Sequence, residues 1–177
     1  TVVVSQFLGA KDKKSANSSA SQLLAVTFLI ALGVTALCLA FNGQIIRLFF
    51  GKIEPDVYEA CETYFEITAL SFPFLAVYNC AAALFRAIGN SKISMYASFF
   101  SNVLNGIGNY ILIYVLSLGV AGAAIATTFS RFVSMFFILV LLTNKKNDVF
   151  IDFRQKFRFD KKLVGRILYI GVPSSVE

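Results

Sequence analysis

The sequence predicts an all-α fold, a polytopic membrane helix bundle. Of its 177 residues, 57% are hydrophobic and only 15% are charged, and the mean hydropathy is +0.72. No charge falls within 15–46 or 67–85, and 93–144 is interrupted only by Arg131. Because one helical crossing needs about 20 apolar residues, these runs predict four complete transmembrane helices flanked by two partial ones.

The predicted crossings follow from where each run begins and ends. They are Leu23–Phe41, Phe65–Phe85, Ser94–Leu118 and Val120–Asn144. A turn at 117–122, where glycines cluster, separates the last two. Residues 1–10 are interpreted as the end of one helix and 163–177 as the start of another. We therefore expect the chain to be a fragment of a longer membrane protein, whose remaining half would complete it.

The charges of the connecting loops predict the orientation. If the crossings alternate, thirteen of the sixteen Lys and Arg residues lie on one face, whereas Arg47 and Lys52 lie on the other. The positive-inside rule assigns the basic face to the cytoplasm. The expected location is therefore the plasma (inner) membrane, with several passes.

Two local features precede and interrupt the second crossing. The apolar stretch 45–50 favours a short interfacial segment, and Glu54-Pro55-Asp56 is typical of a helix start. Pro73 falls within the crossing, where it removes a backbone donor and bends the helix. Such a bend is either a pivot of a transporter or a tolerated kink.

The third crossing has one polar face. At about 100° per residue, Asn102, Asn105 and Asn109 share an arc of about 60°, next to Ser98 and Ser101. The opposite arc is aromatic and aliphatic, as expected of a lipid-facing surface. Asparagine amides are costly in hydrocarbon without partners. They therefore either join helices or line a path for a substrate or an ion.

The fourth crossing carries small residues at four-residue spacing, which let helix backbones approach closely. The short turn makes it an antiparallel neighbour of the third crossing, so Thr127 is predicted to share a polar lumen with the asparagines. Arg131 is the only charge in this region. It either snorkels, pairs with a carboxylate elsewhere, or lines the cavity. Glu177 is a candidate cation or proton ligand.

Several function classes are excluded or disfavoured. The chain has no histidine, and its three cysteines form no C-x-x-C pair, so no metal site or Ser-His-Asp triad is predicted. There is no P-loop motif. The loop 145–162 mixes basic and aromatic residues between two membrane helices, which favours membrane lipids and not nucleic acid as its partner. The chain is therefore not expected to be an enzyme.

Several stretches together resemble the multidrug and toxic compound extrusion (MATE) family. The resemblance rests on the order and spacing of these stretches over the whole chain, because no single stretch is decisive. They are VSQFLGAKDK (4–13), SFPF (71–74), LFRAIGNSK (84–92), LNGIGNY (104–110), GVAGAAIATTFSR (119–131) and IGVPSS (170–175).

The resemblance implies a twelve-helix transporter made of two six-helix lobes. This chain would run from helix 2 to the start of helix 7. Residues 1–144 would then form most of the N-terminal lobe, 145–162 the cytoplasmic linker between lobes, and 163–177 the start of helix 7 of the C-terminal lobe.

The resemblance also implies a function. Family members export cationic, amphipathic organic compounds in exchange for protons or sodium, so small organic cations are the expected substrates and H+ or Na+ the coupling ion, with no cofactor. Asn105 and Thr127 match a polar cluster of some relatives. Asn109 stands where those relatives have an acid, and an amide cannot carry a proton.

Two alternatives to the exporter stay open. One is a lipid-linked oligosaccharide flippase of the same superfamily, whose phosphate-bearing substrate would need a more cationic lumen. Arg131 is the only candidate lumenal base in this sequence, which favours the exporter. The other is a pore or scaffold without coupled transport.

Overall fold

The computed structural model describes residues 2–51, 54–144 and 165, and every element within them is helical. The predicted linker 145–162, the last helix 163–177 apart from Gly165, and Glu177 lie outside the described residues. In chain order the elements are α1 (Val2–Gly9), α2 (Lys13–Ala40), α3 (Asn42–Phe50), α4 (Pro55–Leu70), α5 (Phe72–Ala87), α6 (Ser91–Asn109), a π-helical segment (Tyr110–Val115) and α7 (Gly119–Leu142).

Two of these helices are each long and apolar enough to cross a membrane: α7, and α2 over Ser15–Ala40. The first crossing begins earlier than the predicted Leu23, because Asp12 caps the helix: its Oδ1 accepts a hydrogen bond from the Ser15 N–H at 3.1 Å. These spans confirm the predicted membrane helix bundle.

The second crossing is not one helix, as the span Phe65–Phe85 implied. It consists of α4 and α5, which meet at Ser71 with a bend of 45° and are apolar enough only as a pair. As predicted, α4 begins at Pro55, with Asp56 in its first turn. The exposed Leu48, Phe49 and Phe50 of α3 are consistent with the interfacial segment expected before it.

The third crossing also differs from a regular helix. It comprises α6 and the π-helical segment, and it is not among the helices that meet the hydropathy of a membrane span, because one of its faces is polar. A turn follows in which Ser117 and Gly119 have φ angles of 52° and 53°. This turn lies where the glycine cluster predicted it.

The main apolar core lies at the basic end of the bundle, where α1, α2, α5, α6 and α7 meet. Small side chains such as Ala16, Ala20 and Ala81 pack here around Phe85, which is 1% exposed. Elsewhere large apolar side chains are exposed, including Phe99 and Phe136. A bundle surrounded by lipid presents such a surface, since hydrocarbon does not disfavour it.

Candidate functional site

A polar cavity of about 290 Å³ opens between α5, α6 and α7. Eight of its lining residues are polar and uncharged, one is apolar, and one, Arg131, is charged. The lining residues are Leu75, Tyr78, Ser98, Ser101, Asn102, Asn105, Thr127, Ser130, Arg131 and Ser134. The structure thus brings together Asn102, Asn105, Thr127 and Arg131, four of the residues singled out from the sequence.

Close packing of α6 against α7 aligns the two polar faces. A Cβ at Gly108 would lie 3.3 Å from the Cβ of Ala126, and a Cβ at Gly122 would lie 2.9 Å from the carbonyl oxygen of Leu112. Ala126, Ser130 and Gly122 are all buried. The small-residue row predicted from the sequence therefore forms the contact between the two helices.

A chain of hydrogen bonds runs from α6 to α7 beside the cavity. The Asn109 Nδ2 donates to the Asn105 Oδ1 at 3.0 Å, and the Asn105 Nδ2 donates to the Thr127 Oγ1 at 3.3 Å. Asn109 does not line the cavity, and its Oδ1 is buried without a hydrogen-bond partner among the described residues. Asn109 thus orients Asn105, and Asn105 in turn contacts Thr127.

Other hydroxyl groups complete the polar lining. The Tyr78 Oη and the Ser98 Oγ lie 3.0 Å apart and share a hydrogen bond. The Ser130 hydroxyl donates to the Ala126 carbonyl at 2.8 Å. Ser134 is 1% exposed, and its Oγ has no hydrogen-bond partner in the part of the chain that the structure describes. An unpartnered buried hydroxyl beside a cavity is one that a ligand or water can satisfy.

Arg131 extends from α7 to the bend between α4 and α5. One of its terminal nitrogens donates to the Ser71 Oγ, and the Ser71 hydroxyl donates to the Thr68 carbonyl at 2.6 Å. Within residues 2–51 and 54–144, no carboxylate forms an ion pair with this guanidinium. Arg131 lines the cavity, and its pairing with a carboxylate elsewhere in the protein stays a prediction.

The bend itself is braced by hydroxyl groups from other helices. Pro73 is buried in the first turn of α5 and has no N–H to pair with the Ala69 carbonyl four residues earlier. The Thr35 Oγ1 donates to this carbonyl at 3.3 Å, and the Thr128 Oγ1 donates to the Ile67 carbonyl at 3.0 Å. Freed backbone groups in a membrane are typically satisfied in this way. The role of Pro73 as a pivot stays a prediction.

Several residues that line the cavity or brace the bend were not identified from the sequence. Tyr78 and Ser134 line the cavity, while Thr35, Thr128 and Ser71 brace the bend. Tyr78 could have been singled out from the sequence, because it is the only tyrosine in the uncharged run 67–85. Thr35 and Thr128 could not, because their partners are carbonyls more than 30 positions away in the chain.

Comparison with known proteins places the chain among transporters. A family model described as MatE matches residues 1–111. An uncharacterized transporter of Bacillus subtilis, YisQ, is 28% identical over 182 residues, which cover 100% of this chain and 39% of that protein.

Solved structures of transporters match the fold. The chain aligns with a TM-score of 0.86 and 26% identity to an inward-facing multidrug resistance MATE family transporter of the MOP superfamily, covering 97% of this chain and 39% of that one. A MOP superfamily transporter from Pyrococcus furiosus, described as having a binding pocket of reverse polarity that suggests a different function, aligns with a TM-score of 0.87 and 26% identity over 98% of this chain and 38% of that one.

Proposed function

The chain belongs to the MatE family of membrane transporters, and on that premise we propose that the whole protein is a secondary active multidrug efflux transporter with alternating access. Members of the family are transporters and not enzymes, as expected from the sequence. The chain spans about 39% of the length of the relatives that it matches. The activity of the whole protein, its substrates and its partners are therefore part of the proposal.

The polar cavity between α5, α6 and α7 is the observation that supports the proposal most directly. It lies in a bundle whose outer surface is apolar, and it is lined by amides and hydroxyls from three helices. In many secondary transporters the substrate binds near the bilayer midplane, between helices that move relative to each other. We propose that Asn105 and Thr127 contribute to this path.

The proposed substrates are small amphipathic organic cations, exported across the plasma membrane in exchange for H+ or Na+. The described cavity supplies amide and hydroxyl oxygens, but no carboxylate among its lining residues. Because Asn109 and Asn105 are amides, they do not titrate. The groups that bind the coupling ion and balance a cationic substrate would then come from residues outside the described ones, such as Glu177.

The bend at Ser71 suggests how the lobe moves. The backbone hydrogen bonding from α4 to α5 is interrupted at Pro73, and Thr35 of α2 and Thr128 of α7 donate to the freed carbonyls of Ala69 and Ile67. Exchanging these few contacts requires less rearrangement than breaking a regular helix. We propose that α5, which contributes Leu75 and Tyr78 to the cavity, changes its angle to α4 during transport.

Efflux of ethidium, a cationic dye, from cells that produce the full-length protein tests the proposal. Asn105→Ala and Thr127→Ala are expected to slow efflux about tenfold or more, because each removes a polar group from the path. Phe99→Ala is the control, because this side chain is exposed on the lipid-facing surface and contributes nothing to the cavity. Normal efflux with normal ion dependence in both cavity variants would reject these residues as the site.

A second candidate function rests on Arg131. It is the only charge among the lining residues of the described cavity, and a positive lumen suits a phosphate-bearing substrate such as a lipid-linked oligosaccharide. The Pyrococcus furiosus transporter with a reverse-polarity pocket supports a different function for some proteins of this fold. Translocation of a fluorescent lipid-linked oligosaccharide in proteoliposomes, without ethidium efflux from cells, would favour the flippase.

A further inference from the structure

Arg131 is the residue at which the polar cavity meets the bend between α4 and α5. We infer that its hydrogen bond to Ser71 couples the two, so that a ligand entering the cavity changes the angle between α4 and α5. The inference deepens the proposed function and rests on it, since it names the contact through which substrate binding would move α5. Arg131 is thus a positioning residue as well as part of the cavity wall.

Ser71 is the single residue between the two helices of the bend. The helix α4 ends at Leu70 and α5 begins at Phe72, and Ser71 caps both. It is fully buried. Its N–H donates to the Thr68 carbonyl at 2.9 Å, and its carbonyl accepts from the Leu75 N–H at 3.0 Å. Because its backbone is bonded to both helices, a change at its hydroxyl acts directly on their joint.

The Arg131 side chain connects this joint with the cavity. One of its terminal nitrogens donates to the Ser71 Oγ, and the same residue lines the cavity next to Thr127. Its place on α7 explains the first contact. Thr128, three positions earlier and on the same side of the helix, donates to the Ile67 carbonyl. This side of α7 therefore packs against the end of α4, and Arg131 reaches the joint from there.

A ligand in the cavity acts on Arg131 in two ways. It occupies space beside the side chain, and a cationic ligand also repels the charge of the guanidinium. A hydrogen bond between membrane helices changes an equilibrium constant by only about threefold on average, so effects of this size are enough to alter the contact with Ser71. Both effects arise from Arg131 itself, whichever groups the remaining helices of the protein contribute.

The other two braces of the bend lack a link to the cavity. Thr35 and Thr128 donate to carbonyls of α4, but neither of them lines the cavity. They therefore hold the joint in the same way whether or not a ligand is bound. Removal of the Thr128 hydroxyl should loosen the joint but keep its response to a ligand, whereas removal of the Ser71 hydroxyl should abolish that response.

Distances between two spin labels in the purified full-length transporter test the inference. The labels are attached at Val57 in α4 and Asn79 in α5, which are both exposed, in a background whose native cysteines are replaced by serine. At 1.5 Å per residue the labels lie about 30 Å apart along the two helices, a distance that pulsed electron paramagnetic resonance measures well. In the parent protein, saturating ethidium is expected to shift the distribution of this distance.

Ser71→Ala is the decisive variant, because it removes the acceptor of Arg131 and leaves the residues that line the cavity unchanged. Without ethidium, the populations of label distances should shift by about threefold or more relative to the parent. With ethidium, no further shift is expected. Thr128→Val should keep the ethidium-induced shift. Ser21→Ala is the matched control, since this hydroxyl donates to the Asn17 carbonyl of its own helix, and it should behave as the parent does.

Substitutions of Arg131 locate the other partner of the contact. Arg131→Met removes every donor and should abolish the ethidium-induced shift, as Ser71→Ala does. Arg131→Lys keeps a charged donor and should retain part of the shift. Should Arg131→Met fail to elute as a folded protein, Ser71→Ala and Arg131→Lys still decide the question.

Failure of the inference and failure of the proposed function are distinguishable. An ethidium-induced shift that persists in Ser71→Ala overturns the inference even when the parent exports ethidium normally. Loss of the shift in Thr128→Val as well also overturns it, since any loosening of the bend would then have the same effect. If the parent neither exports ethidium nor responds to it, the proposed function is wrong, and coupling to this ligand is wrong with it. The ligand-free comparison of Ser71→Ala with Ser21→Ala then shows whether the contact sets the angle.

Discussion

The two ends of α5, α6 and α7 are built differently. Near the basic end, alanines and Phe85 pack with almost no exposed surface around Ile138 and Leu142. Farther along the same three helices, the space between them remains open as a cavity, which is lined by amides, hydroxyls and Arg131. One set of helices thus combines a closely packed anchor with a site whose polar groups are only partly satisfied.

The difference indicates that the packed end of the lobe stabilises the fold, whereas the polar cavity allows rearrangement. Closely packed apolar interiors tolerate little rearrangement, because any shift creates voids or clashes. Interhelical hydrogen bonds in membranes are worth only about 0.6 kcal/mol on average, so polar contacts exchange partners at low cost. We therefore expect substitutions at the packed end to lower the stability of the fold, and substitutions at the cavity to change transport with smaller effects on stability.

The largest effect is expected from Phe85→Ala at the packed end. Phe85 is 1% exposed and belongs to the main apolar core, so the substitution leaves a cavity. We expect the free energy of unfolding to fall by about 3 kcal/mol, the low end for a buried Phe, because lipid replaces water as the alternative environment. The thermal midpoint of the purified full-length protein is the measurement.

Phe99→Ala is the matched control for that experiment. Phe99 is 69% exposed on the lipid-facing side of α6, so its removal leaves no internal void. A midpoint for Phe85→Ala that is no lower than that of Phe99→Ala would show that the basic end is not the anchor of the lobe.

The next largest effect is expected from alanine substitutions of two glycines, Gly106 in the third crossing and Gly122 in the fourth, which should change stability in opposite directions. A Cβ at Gly122 would lie 2.9 Å from the Leu112 carbonyl oxygen and 3.0 Å from the Leu118 Cβ, whereas a Cβ at Gly106 would meet no atom within 4 Å. Gly122→Ala is expected to lower the free energy of unfolding by about 2 kcal/mol through overpacking. Gly106→Ala is expected to raise it by up to about 1 kcal/mol through helix propensity.

Thermal unfolding of both glycine variants tests whether Gly122→Ala lowers and Gly106→Ala raises the stability of the protein. Equal stabilisation by the two substitutions would show that the backbones of the π-helical segment and α7 do not need to approach closely. The comparison also bears on the cavity, because Gly122 and Thr127 lie on the same helix, and Thr127 accepts a hydrogen bond from Asn105.

Much of the fold followed from the sequence. Uncharged runs located α2 and α7, and helical periodicity placed Asn102 and Asn105 on one face. These features are encoded by residues close together in the chain. The glycine cluster likewise predicted the turn at 117–122, where the backbone takes positive φ angles at Ser117 and Gly119.

The features that were missed depend on contacts between distant residues. Pro73 predicted a bend, but not the break at Ser71 or its braces Thr35 and Thr128, since these pair with carbonyls of another helix. The π-helical segment had no sequence signal that we recognised. The role of Asn109 as a partner of Asn105 depends on rotamers that periodicity does not specify.

The smallest expected effect is a pH dependence introduced by Asn109→Asp. Asn109 is half-buried, and its Nδ2 donates to the Asn105 Oδ1. A protonated acid can make the same hydrogen bond, whereas an ionised one presents a charge to an oxygen. The variant would then gain a titrating group that the amide of the parent lacks.

The sign of the pH effect in Asn109→Asp follows from the two protonation states of the new carboxyl. The protonated acid keeps a hydrogen bond to the Asn105 Oδ1, whereas the ionised acid places a charge beside this oxygen and loses the bond. Deprotonation is therefore expected to lower the stability of the variant. The thermal midpoint relative to the parent should therefore fall from pH 4 towards pH 8, whereas Asn109→Ala should show a constant difference. Ethidium efflux over the same range provides the functional comparison. If ethidium efflux by the parent depends strongly on pH and this dependence is lost in Asn109→Ala, then protonation is linked to this amide after all. The cavity end of α5, α6 and α7 would then be the proton-coupled part of the lobe.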